Sequence, residues 1–369
     1  MNGESTWRRI LDILGKDNIS EVEVTAPDGI WVVQRGKRFK VKLPGWDDSR
    51  GKGEENFFTD FEQVVLPSMH APGFGRPSEE HCIYEGALIY AHNNVNNERE
   101  TVHARLHMML PPSCEFPQVT IAKRSESLTT LEIMKKMGTM DDEMLDFIKR
   151  AVKSKQTIVF SAGSGGGKTT MLRACCNYLA SDERVVVCED SPELTLPIGN
   201  VSYLQSQPWR PGIDMNRVIT LEYLVAQANR MRPDRIIVGE TRSKEFHGFL
   251  QAANSGYSGS FTTLHANSPK ECLDRMSMLD SEAEPGRDVQ TINHGIAYAI
   301  DFIIQLAKDN NTGRHWIDSI EEVSKIVSES NGRISTGTIF KMQNGSFVHN
   351  LGQLSDEKRD ALHYGRLAR

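Results

Sequence analysis

The chemistry most plainly written in this chain lies in Ala162-Gly163-Ser164-Gly165-Gly166-Gly167-Lys168-Thr169-Thr170. Glycines let backbone N–H groups converge on phosphate oxygens with no side chain in the way. A helix starting at Lys168 adds the positive end of its dipole. Lys168 supplies an ammonium for β- and γ-phosphates, and the Thr169 hydroxyl a ligand for Mg²⁺. A strand-like run, Thr157 to Ser161, leads in, and a helical pattern (Met171, Leu172, Cys175, Leu179) leads out. Strand, glycine loop, Lys-Thr and helix together form the context of a P-loop. The usual first glycine of that pattern is Ala162 here. If that position needs positive φ, alanine costs about 1 kcal/mol or more, and Gly163 is the neighbour that can absorb the turn. The tetrapeptide NKxD of GTP-binding loops is absent, which favours ATP.

Three further segments end apolar strands in chemically able residues. Arg184 to Cys188 runs into Glu189-Asp190, and carboxylates at strand C-termini face the crevice where α/β sheets bind ligands. Glu189 is a candidate for holding Mg²⁺ or polarising water, and Asp190 for a helix or turn cap. Arg235 to Gly239 ends in Glu240, a candidate base to orient or deprotonate the attacking water; Gly239 stands where an aspartate is usual. Arg230 and Arg242 flank this strand and could face a nucleotide across a subunit boundary, whereas Arg232 and Arg235 read equally well as surface charges. Gly259 to Leu264 ends at His265, placed to sense a γ-phosphate.

These residues need elements to hold them. Beyond residue 141, strands and helices alternate, and continuous apolar runs such as Ile236-Ile237-Val238 predict strands covered on both faces. Before residue 125 the texture differs: an amphipathic helix over 6–14 (Trp7, Ile10, Leu11, Leu14) and alternating strands around 21–25, 30–34, 39–43, 87–90, 102–110 and 119–122, with a helix over 58–65. The reading is an α+β domain over 1–125, a linker over 126–140 and an α/β domain over 141–369. The 369 residues carry a net charge of −6 with 38% hydrophobic residues. A buried core is expected, and neither half is basic, which argues against a dedicated nucleic-acid-binding module. No apolar run of about 18 residues is present to span a membrane. Six cysteines lack metal-like spacing and predict reduced thiols of a cytoplasmic protein. The segment Arg35 to Lys42 alternates basic residues along a strand, predicting a lysine-protected edge or, secondarily, a peripheral membrane contact.

The four motifs in this order, AGSGGGKTT, CEDSPEL, RMRPDRIIVGETR and GSFTTLHANSP, resemble those of the secretion and traffic ATPases of type II and type IV secretion and type IV pili. The resemblance is strong over 155–280 and extends to about 325, through Thr312-Gly313-Arg314 and Ile320-Glu321-Glu322-Val323. Lacking a zinc knuckle and an extra docking domain, the chain resembles the shorter type IV secretion and conjugation form. The resemblance implies a RecA-like motor domain behind a PAS-like amino-terminal domain, assembled as a homohexamer, with ATP and Mg²⁺ bound between the two domains. It implies hydrolysis, with partners among inner-membrane secretion proteins at the cytoplasmic face. It also gives Arg105 and Arg124 meaning, as amino-domain arginines that reach the nucleotide; otherwise they are solvated strand arginines. Tyr257 stands where the family usually carries a second histidine. A DNA-translocating RecA-type motor and a nucleotide-gated docking platform with little turnover are the alternatives.

Overall fold

The computed structural model describes residues 6–16, 19–25, 29–34, 37–41, 69–70, 82–93, 99–115, 118–123, 129–207, 218–309, 311–330 and 332–364. Arg124, the expected helix over 58–65, and Arg35, Gly36 and Lys42 of the basic segment lie outside these residues. The chain divides into two compact units. One comprises Met1–Ser127, Trp209–Met215 and Asn310–Gly313, and the other Leu128–Pro208, Asn216–Asp309 and Arg314–Arg369.

The first unit is an antiparallel sheet with a helix on it. Strands β1 (Ile19–Thr25), β2 (Gly29–Gln34), β3 (Lys37–Val41), β4 (Met69–His70), β5 (Ile83–Asn93), β6 (Arg99–Met109) and β7 (Gln118–Lys123) run in the order β3-β2-β1-β7-β6-β5-β4. The helix Thr6–Gly15 buries Trp7, Ile10, Leu11 and Leu14 against Val22, Val24, Leu88, Leu106 and Ile121. The one-turn spacing of those four residues dictates that face. Tyr90 ties the helix down by donating its hydroxyl to the Leu11 carbonyl at 3.0 Å. At one edge, β3 is exposed, with Arg38 paired to Glu23 and Lys40 over the Trp31 ring. Cations on an edge deter pairing with another chain.

The second unit is built on a nine-stranded sheet. Its strands are β8 (Ile158–Ala162), β9 (Val185–Glu189), β10 (Val201–Gln205), β11 (Arg235–Thr241), β12 (Phe261–His265), β13 (Phe302–Lys308), β14 (His315–Val327), β15 (Ile334–Gln343) and β16 (Ser346–His349). The order is β10-β9-β11-β12-β8-β13-β14-β15-β16, parallel from β10 to β13 and antiparallel beyond. Successive residues serve opposite faces. Ile158, Phe160, Val187 and Ile237 enter one core with the helices Asp142–Lys153 and Lys168–Cys176, while Val159, Val186, Cys188, Ile236 and Val238 enter another with Leu224, Phe246, Phe249 and Met276. Both faces are covered, as the unbroken apolar runs require. The mixed α/β fold is that of a RecA-like motor domain.

Arg235, equally readable from sequence as a surface charge, is fully buried at the start of β11. Its guanidinium pairs with Glu183 and donates to the carbonyls of Val152 (2.7 Å) and Gly259 (2.9 Å). It lies over the Phe261 ring, so the charge is satisfied on every side and ties together three separate segments at the N-terminal end of the sheet. All six cysteines are free, with Cys175 and Cys176 both buried on the helix after the glycine loop. Among the described residues, no helix is long and apolar enough to cross a membrane.

Candidate active site

Parallel order sets β8 between β12 and β13, with β11 beyond β12. The ends of these strands carry the predicted residues to one rim, where α/β sheets bind ligands. Register places His265 directly beside Ala162.

Ala162 ends β8 with ordinary strand geometry. The loop takes positive φ at Gly165 (64°) and Gly167 (86°), and at neither Ala162 nor Gly163. The alanine therefore bears no left-handed strain. Its cost appears elsewhere: a Cβ added at Gly166 would lie 2.5 Å from the Ala162 Cβ and 3.1 Å from the Gly163 carbonyl oxygen. With alanine at 162, glycine is obligatory at 166. Gly167 caps the helix Lys168–Cys176 in the left-handed conformation, leaving the first-turn N–H groups to point out of the helix. Ser164 and Gly165 are exposed, while Thr169 and Thr170 are half-buried in the first turn.

Lys168 is buried. Its Nζ donates to the carbonyls of Ala162 and Gly163, each at 3.2 Å, and lies 3.2 Å from both ring nitrogens of His265. Burial pulls its pKa down to about 8, with Glu240 opposing the shift and Arg242 adding to it. Such an ammonium is poorly solvated and has its strongest gain available from an anion. Burial first, then the Lys168 charge, also pushes His265 below its ordinary value.

Glu240 reaches the same spot by way of a bulge. On β11, Val238 pairs with Thr262 and Thr241 with Leu264, so Gly239 and Glu240 together oppose Thr263. Thr263 donates to the Gly239 carbonyl at 2.8 Å, and Thr241 to the Thr263 carbonyl at 3.1 Å, pinning the bulge. A bulge re-aims side chains at a strand end. Glu240 Oε1 sits 2.8 Å from His265 Nε2 yet meets no donor in hydrogen-bonding alignment, and Oε2 accepts from Arg242. A continuous chain of ionisable groups results: Lys168, His265, Glu240, Arg242.

Glu189 is buried at the end of β9 and takes its order from its own loop. Its Oε1 accepts from the N–H groups of Glu193 (3.0 Å) and Leu194 (3.1 Å), and its Oε2 from Leu194 at 3.3 Å. A Cβ at Gly239 would lie 2.9 Å from Glu189 Cγ. The glycine that replaces the usual aspartate of β11 thus makes room for the neighbouring glutamate. Asp190 accepts from Ser206 at 2.7 Å, a loop-fixing contact.

Within the second unit, Arg230 does not join this cluster. Arg230 is exposed and touches Gln227. Arg105, in the first unit, lies half-buried on β6 opposite Ala87 and Ala122. Tyr257 donates to the Asn229 carbonyl at 2.7 Å, pinning the loop before β12 to the turn that carries Arg230. Among the described residues, no group of three or more His, Cys, Asp or Glu could hold a metal ion.

The family model for the type II/IV secretion system protein matches residues 91–347, which spans the glycine loop, β9, β11, β12 and the β13–β14 hairpin. The chain belongs to the type II/IV secretion system protein family. As a member of that family it is similar to a Mycobacterium tuberculosis protein assigned by name to conjugal transfer, at 28% identity over 93% of this chain and 90% of that one. It is similar to the conjugal transfer protein TrbB of Rhizobium radiobacter at 30% identity over 66% of this chain and 71% of that one. It is also similar to the type IV secretion system protein VirB11 of Brucella suis, at 26% identity over 65% and 77%. The fold is shared with the Legionella pneumophila ATPase DotB, with a TM-score of 0.58 and 18% identity over 99% of this chain and 87% of that one. It is shared too with the pilus retraction motor PilT solved with bound ADP, with a TM-score of 0.56 and 15% identity over 97% and 85%.

Two residues at the loop of this family member escape a reading by motif. His315 Nε2 donates to the Gly165 carbonyl at 2.9 Å, and Lys308 Nζ lies 3.7 Å from where a Cβ on Gly165 would stand. Both belong to the β13–β14 hairpin. The stretch Thr312-Gly313-Arg314 immediately before His315 was the one signal in the sequence that pointed there.

Proposed function

We propose that this chain is an ATP-hydrolysing motor subunit that energises a type IV secretion or conjugation apparatus. One observation carries the reading: Lys168, held at the glycine loop, is linked through His265 to Glu240 on the bulged strand β11. Phosphate grip and candidate base are thereby a single connected unit. The similarity to TrbB and VirB11 supports the secretion and conjugation setting over a DNA motor. The assembly we propose is a homohexameric ring at the cytoplasmic face of the inner membrane, working on secretion-apparatus proteins there. Its amino-terminal α+β domain is 1–125, its linker 126–140 and its motor domain 141–369, with Arg105, Arg124 and Arg230 as further nucleotide-contacting cations.

In the mechanism we infer, the N–H groups of Gly163 to Thr170 cradle the phosphates and Lys168 exchanges its contacts with loop carbonyls and His265 for phosphate oxygens. That exchange releases His265, which then faces the terminal phosphate. Glu240, held by Arg242, orients the attacking water and accepts its proton. The residues present fit Mg²⁺: the Thr169 side chain stands in the first turn beside Lys168, and the buried Glu240 Oε1 lacks an aligned donor. Mg²⁺, when bound, would neutralise charge on the phosphate oxygens, taking most of its shell from phosphate and water. Thr169 would ligate it, and Glu189, committed to the N–H groups of Glu193 and Leu194, would order water in that shell.

The deciding experiment is Glu240→Gln in the full chain, assayed for ATP binding and turnover. A general base contributes about 10²–10⁴ in rate. Turnover should fall by that range while ATP affinity stays within a few-fold. Turnover equal to the parent would remove Glu240 from the mechanism.

A further inference from the structure

The β13–β14 hairpin brings a second cation to the glycine loop. β13 runs parallel beside β8 with Gln305 opposite Ser161. Lys308 lies three residues farther along, past the end of β8 and level with the loop. Across the hairpin, Leu306 pairs with Ile317 and Lys308 with His315. Directly paired residues on antiparallel strands project to the same face. His315 anchors that face to the loop through its hydrogen bond to the Gly165 carbonyl, with its ring edge 3.5 Å from where a Cβ on Gly167 would stand. The two positive-φ glycines of the loop are the two residues the hairpin covers.

Lys308 is half-buried, and its ammonium has no hydrogen-bond or ion-pair partner among the described residues. The other cations here are engaged: Lys168 with loop carbonyls and His265, Arg242 with Glu240, and Arg314 with the Gly138 carbonyl. An unpaired ammonium against a loop of bare backbone, on an element fastened to that loop, has the placement of a group completed by an anion.

We propose that Lys308 is a second phosphate-binding cation of this site, gripping the polyphosphate chain from the β13–β14 side while Lys168 grips it from the helix side. The inference rests on the nucleotide reading above and deepens it. Its chemical consequence is that affinity depends on two ammonium groups on different elements, so nucleotide would draw the hairpin and the loop together.

The test is equilibrium titration of the full chain with a fluorescent ATP analogue at several salt concentrations, for the parent, Lys308→Ala, Lys308→Arg and Lys168→Ala. Loss of a charge-assisted contact should weaken Lys308→Ala about tenfold, flatten its salt dependence, and be largely restored in Lys308→Arg. Parent-like affinity and salt dependence in Lys308→Ala, alongside loss of binding in Lys168→Ala, would overturn the proposal and leave the proposed function standing. Weakening that the arginine does not rescue would assign Lys308 a packing role and also overturn it. No binding by the parent would bring down both.

Discussion

With Lys168 gripping phosphate as proposed, its lowered pKa should make nucleotide affinity depend on pH between 7 and 9. In the free protein, burial brings this ammonium to about 8. At pH 7 about nine-tenths of the molecules carry the charge, and at pH 9 about one-tenth. Phosphate oxygens beside Nζ favour the charged form, so the bound lysine stays protonated across this range. The sign follows: affinity is full below the free-state pKa and falls as pH rises through it, by about tenfold between pH 7 and pH 9. The neighbours do not mask the effect. His265 is pushed below its ordinary value, so its charge does not grow as pH rises from 7 to 9, and Arg242 stays charged. Titration calorimetry at pH 9, in two buffers of different ionisation heat, should count about one proton taken up per nucleotide bound, and close to none at pH 7. Lys168→Arg, charged at both pH values, should lose the pH dependence whatever its absolute affinity. Equal affinity at pH 7 and 9 without proton uptake, or the same slope in Lys168→Arg, would refute the reasoning.

Two further substitutions test the packing that shapes the site. Gly166→Ala should cost at least tenfold in nucleotide affinity, because its methyl would collide with the Ala162 Cβ; adding Ala162→Gly should recover most of the loss, and failure to recover would remove that collision as the cause. Arg235→Ala should lower the unfolding free energy by about 3–5 kcal/mol in denaturant titration, since it strands the buried Glu183 carboxylate; a loss under 1 kcal/mol would show that the pair is not a clamp.

Much of this architecture was legible because local pattern and tertiary requirement agree. The one-turn spacing of Trp7, Ile10, Leu11 and Leu14 could bury only one face, and it does. Ile236-Ile237-Val238 could be covered only on both sides, and its members enter two cores. Lys168, Glu240 and His265 were found because each ends an apolar strand or opens a helix, and parallel pairing turns that into proximity. What stayed hidden depends on register. The bulge at Gly239 and Glu240 exists only relative to β12, so the missing aspartate looked like a departure; in three dimensions it is the space Glu189 needs. Whether Ala162 needs a positive φ could not be read from the motif; strand pairing with His265 holds residue 162 extended, and the positive φ falls at Gly165 and Gly167, not at Gly163. Arg235 gave no hint of burial, because its partners, Glu183, Val152 and Gly259, come from three separate segments. Lys308 and His315 carry no motif, since their relation to the loop comes from β13 lying beside β8.

The adjacent thiols of Cys175 and Cys176 follow the loop by less than three helical turns. Both are sealed from solvent, and burial raises both pKa values, that of Cys176 to about 12. At neutral pH these thiols stay protonated and shielded, so an alkylating reagent finds them almost solely when the surrounding structure comes apart. The protein thus carries its own stopwatch for transient opening beside the glycine loop, readable by mass spectrometry of the alkylated thiol with no reporter residue engineered in, and sensitive to whatever ligand slows that opening.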